Sequence, residues 1–97
     1  MVAMEEIEAI IGDVVRGRLK DVKIVSVHVD RDTDSGGDEI LNVTIVFESQ
    51  NDVLDASKIS SMVRYVRPKL DEIGEPSFPL ISFISKEDAE QFGIEAS

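Results

Sequence analysis

The chain has no cysteine, no tryptophan and a single histidine in its 97 residues. Without cysteine there can be no disulfide, no thiolate zinc site and no cysteine nucleophile. Aromatic residues make up only 5% of the chain. No apolar run approaches the length that crosses a bilayer. The opening Met1-Val2-Ala3-Met4-Glu5-Glu6 has neither the basic nor the apolar region of a secretory leader. A cytoplasmic location is therefore expected.

Positive charge is also scarce. Ten Lys and Arg face twenty Asp and Glu, for a formal charge of −10. Such a surface repels phosphate backbones, so nucleic acid is an unlikely partner and basic proteins or cations are favoured. The same charge keeps a small protein soluble. With 42% hydrophobic residues in periodic order, one small α+β domain is expected over 1–97, frayed from about residue 92.

Apolar periodicity predicts the elements. Ile7, Ile10, Ile11, Val14 and Leu19 recur at helical spacing, with acids in the first turn and bases in the last. Gly12 and Gly17 weaken that helix, so packing must hold it. Strands are predicted over Val22–Asp30 and Ile40–Glu48. Strict alternation puts Val25, Val27 and Val29 on one face and Ile24, Ser26 and His28 on the other. The stretch between them, Asp30 to Glu39, reads as a ten-residue acidic hairpin loop turning at Gly36-Gly37.

A second helix is expected from Asp52 or Asp55 to about Ile73, kinked but unbroken at Pro68 and stopped by Gly74 and Pro76. Phe78–Ser85 is apolar on both faces and reads as a strand that is central or covered by a partner. Ser85-Lys86-Glu87-Asp88 resembles a capping box, opening a short helix that Gly93 closes. The order α-β-β-α-β implies a three-stranded mixed sheet under two helices, a two-layer sandwich with one sheet face open.

That order is similar to the cytoplasmic domain of cation-diffusion transporters and to the KH-like domain of ribosome-binding factors. The basic Gly-x-x-Gly loop of KH domains is missing, because Gly36-Gly37 lies among acids in the hairpin.

Three sets of residues are candidates for function. His28, Asp30 and Asp32 alternate toward one side and, with Asp34, could hold a divalent cation. The echo of a calcium loop fails at Ser35 and Leu41. Ile24, Val46, Leu80 and Ile84 would leave an apolar patch on the open face, suited to a homodimer or to another protein, with Tyr65 as a further interface residue. Lys58, Arg64, Arg67 and Lys69 form the only basic cluster, spread around the helix edge.

No nucleophile, acid–base pair or phosphate loop is recognisable, so no enzyme activity and no cofactor are expected. The sequence points to an accessory or protein-interaction domain acting through its open sheet face or acidic surface. An antitoxin-like partner of a basic protein is one form of it. The alternative is a metal-binding regulatory domain built on the hairpin.

Overall fold

The computed structural model describes residues 3–20, 22–48, 54 and 56–91. Helix α1 (Met4–Arg18) leads into strands β1 (Lys23–Thr33) and β2 (Glu39–Glu48). A bent helical segment follows, α2 (Ala56–Ser60) and α3 (Met62–Glu72), then β3 (Phe78–Ser85) and the short α4 (Lys86–Gln91). The sheet order is β1-β2-β3, with β1 antiparallel and β3 parallel to the central β2. The fold is therefore the expected α+β arrangement, a mixed open sheet packed against helices. No described helix is long and apolar enough to cross a membrane.

The core forms where three periodicities meet. Ile7, Ile11 and Val15 recur every four residues on α1, and Met62, Val66 and Leu70 do the same on α3. These side chains, with Leu19, close over Val29 of β1 and Leu41, Val43 and Ile45 of β2. α1 has no side-chain N-cap, but Glu5 and Glu6 in its first turn and Arg16 and Arg18 in its last complement the helix dipole.

Pro68 lies inside α3 on its exposed side, where a missing donor and a kink are tolerated. The break comes earlier, at Ser61. Its hydroxyl donates to the carbonyls of Ser57 (3.0 Å) and Lys58 (3.2 Å), competing with the helical ladder. The predicted caps Asp52 and Asp55, the closing Gly93 and the fraying end lie outside the described residues.

Three expectations are corrected. A β-bulge between Ile24 and Ser26 adds one residue to β1, so the alternation slips. Ile24 consequently pairs with Phe47 and packs against the helix-side core rather than on the open face. Next, Val46 is fully buried although it lies outside the cluster under α1 and α3. Helix α4 packs against β2 and β3, and its Ala89 is likewise fully buried. The Val46 end of the second face is therefore closed. Finally, β3 is an edge strand, not a central one. Its two apolar faces serve the core through Ile81 and Phe83 and leave Leu80 in solvent.

Candidate functional site

Register lays out the second sheet face row by row. Ser26, Val46 and Ile84 share one row; His28, Thr44 and Ser82 the next; then Asp30, Asn42 and Leu80; and last Asp32, Ile40 and Phe78. The first row is sequestered, with Val46 and Ser26 buried and Ile84 partly so. On β1 and β2 the middle rows are polar. Exposed apolar surface is concentrated on β3, where Phe78 is 41% and Leu80 46% exposed. The patch expected from Ile24, Val46, Leu80 and Ile84 is thus reduced to a stripe on one edge strand.

Tyr65 is 44% exposed on α3. The Arg18 guanidinium of α1 stacks over its ring at 4.0 Å, so the ring joins two helices as well as facing solvent. Arg67 of the basic cluster reaches the ring of Phe78, 5.3 Å from its centroid. Lys69 pairs with Glu72 one turn on, at 3.5 Å.

The acidic stretch is not a long loop. β1 runs on to Thr33, and the turn is confined to Asp34–Asp38. Gly37 donates to the Asp34 carbonyl and carries φ +85°, which only glycine adopts at no cost. Asp34 Oδ1 accepts the N–H groups of Gly36 and Asp38, each at 2.9 Å. This is a three-residue hairpin loop built on an Asx turn.

The candidate metal ligands are likewise engaged. Asp32 accepts from Thr33 N–H (2.8 Å) and Asn42 Nδ2 (3.2 Å), and His28 Nε2 lies 3.0 Å from Ser26 Oγ. His28, Asp30 and Asp32 do share a face, but among the described residues no three His, Asp or Glu side chains converge on an ion position.

One pair escaped the sequence reading. Arg31 donates twice to Glu75, Nη2 to Oε1 at 2.6 Å and Nη1 to Oε2 at 3.2 Å. This fork is the geometry arginine offers a carboxylate. The Glu75 side chain is 2% exposed and that of Arg31 35%.

Local sequence places both residues. Arg31 has the same parity as Val27 and Val29, so it points to the helix side at the rim of the sheet. α3 ends in a turn where Gly74 N–H donates to Asp71 O and Glu75 N–H to Leu70 O, with Gly74 at φ +78°. That turn swings Glu75 under the hairpin. Ser77 N–H adds a third hydrogen bond to Oε2 at 3.2 Å.

The bonds from Arg31 hold the Glu75 carboxyl below the usual carboxylate range. Burial opposes the shift, and Ser77 reinforces it. The same contact, weakened by some desolvation, raises Arg31, with Glu39 adding a weaker pull.

Three shallow clefts lie at this end of the sheet, of about 260, 510 and 530 Å³, and Arg31 lines the first two. All three include Glu39, and each touches the segment from Ile73 to Phe78. They are open to solvent. No family matches the chain, and no curated protein or solved structure shows significant similarity to it.

Proposed function

We propose that this chain is a protein-interaction domain that acts through the exposed edge of β3. The observation carrying this reading is the pair Phe78 and Leu80, each more than two-fifths exposed on a strand that ends the sheet among the described residues. An edge strand presents unpaired N–H and C=O groups, and natural proteins blunt such edges with charge, bulges or cover. β1 carries both devices, with Lys23, Asp30 and Asp32 along it and a bulge at its start. β3 carries no charged residue at all. Pro79 and the nearby Arg67 moderate it. A strand added there would gain backbone hydrogen bonds and cover Leu80.

Net charge argues against a second copy as the occupant. Two chains of −10 repel on approach, which favours a different protein.

The test is affinity capture from the source cell, comparing the native chain with Leu80→Lys. Lysine suits an edge strand, so the variant should keep its unfolding midpoint within about 0.5 kcal/mol of equivalent stability. A protein enriched by the native chain should be lost with the variant. Equal recovery by both would exclude the β3 edge.

A further inference from the structure

We infer that Arg67 guards the start of the β3 edge, an internal contact that strand addition must displace and that keeps copies of the chain from pairing there. The inference rests on the edge-strand reading above and deepens it by naming what regulates that edge.

Two ring contacts distinguish the flanks of α3. Tyr65 faces α1, where Arg18 covers its ring, whereas Arg67 faces β3, 5.3 Å from the centroid of Phe78. The two residues lie about 100° to either side of the buried Val66, which fixes the core direction between them.

α3 covers the core face of the sheet, the face that Ile81 and Phe83 of β3 serve. Phe78 has the opposite parity and stands in the row of Asp32 and Ile40. A side chain rooted on α3 therefore meets the Phe78 ring only by reaching round the rim of the sheet. β2 occupies the inner side of β3, which leaves the outer corner at the start of the strand for the guanidinium. The next residue, Pro79, adds to this. Proline is tolerated in an edge strand with its nitrogen on the open side, because it has no N–H to give the ladder. The edge thus begins with a guanidinium over Phe78 and no donor at Pro79, and Leu80 beyond them is bare.

This contact adds little to the stability of the fold. Arg67 is exposed, and no acid among the described residues pairs with it, Asp71 one turn along included. A guanidinium over an exposed ring is weakly held. Its effect falls on whatever pairs with the edge. A strand laid past Phe78 must lift the guanidinium from the ring or cover it without a counter-charge, and a covered, unpaired charge is costly. Two copies meet that obstacle twice. Their two-fold pairing is antiparallel and sets Phe78 of one beside Ser85 of the other, so each Arg67 also approaches the Lys86 that follows Ser85. Natural proteins place charge on edge strands against such pairing. Here a helix carries the charge to the edge, which is why β3 itself can stay uncharged.

Sedimentation velocity over a wide concentration range, at constant ionic strength, compares the native chain with Arg67→Ala and Arg64→Ala. Arg64 is also exposed on α3 but covers no ring among the described residues. Each substitution removes one positive charge from a chain of −10, so general repulsion between copies rises equally in both. Alanine suits an exposed helix position, and thermal unfolding checks that each variant is folded.

Arg67→Ala should raise the self-association constant by about tenfold or more, and Arg64→Ala should change it by less than about twofold. Adding Leu80→Lys to Arg67→Ala should return the chain to native sedimentation. Unchanged sedimentation of Arg67→Ala, an equal change with Arg64→Ala, or association that survives Leu80→Lys would each overturn the inference. None of those results alters the capture comparison between the native chain and Leu80→Lys, so the edge-strand interaction stands or falls separately.

Discussion

Replacing Arg31 with Met should destabilise the fold by about 2–3 kcal/mol at neutral pH. The substitution keeps most of the stem but removes the guanidinium, leaving Glu75 buried with chiefly the Ser77 N–H as donor. Breaking a fully buried pair costs roughly 3–5 kcal/mol; Arg31 is a third exposed, and solvent screening reduces the figure. Glu75→Gln should cost less, because a neutral amide needs no counter-charge.

The pH dependence has a definite sign. Glu75 has a lowered pKa in the folded chain, so its contribution is present above the unfolded value, ~4.3 for glutamate. That contribution is lost as pH falls below this value and through the folded one. In the Met variant burial without Arg31 favours the protonated carboxyl. Native and variant stabilities should therefore converge as pH falls. Urea unfolding at neutral pH and at about pH 3.5 checks this; a gap that widened in acid would contradict the pairing.

Val46→Asp should cost about 4 kcal/mol or more, raising the unfolded fraction roughly a thousandfold. Val46 is fully buried, and no basic residue shares its row on the sheet. A carboxylate there would have to be desolvated or protonated. On an open face the same change would cost little beyond strand propensity, at most about 1 kcal/mol. Denaturant midpoints of Val46→Asp and Leu80→Lys compare the closed and open ends of one face. A mild effect at Val46 would mean that this end is open after all.

Sequence periodicity was sufficient for the element order, because α1 and α3 each carry a single apolar stripe and β2 alternates without interruption. It failed where one residue shifts phase. The bulge at the start of β1 carries no Gly and interrupts a valine-rich run, so nothing local marks it, yet it moves Ile24 to the other face. Burial of Val46 depends on where α4 folds, which is a tertiary matter. The edge position of β3 was obscured because a strand apolar on both faces resembles a central one. The hairpin tip was foreseen in position but not in tightness, since the Asp34 side chain replaces the loop's missing partners.

The Arg31–Glu75 pair joins residues 44 apart, beyond any periodic signal. Two clues did exist: an arginine at core-facing parity in a strand, and a glutamate set between Gly74 and Pro76 where a helix must turn.

Amide hydrogen exchange on the chain, alone and bound to the protein it captures, tests the central claim most directly. In the free chain the amides of β3 that face outward should exchange quickly, whereas those of β2, paired on both sides, should be protected. Binding should slow exchange along Phe78–Ile84. Protection confined to α1 or α2, with β3 unchanged, would contradict the account.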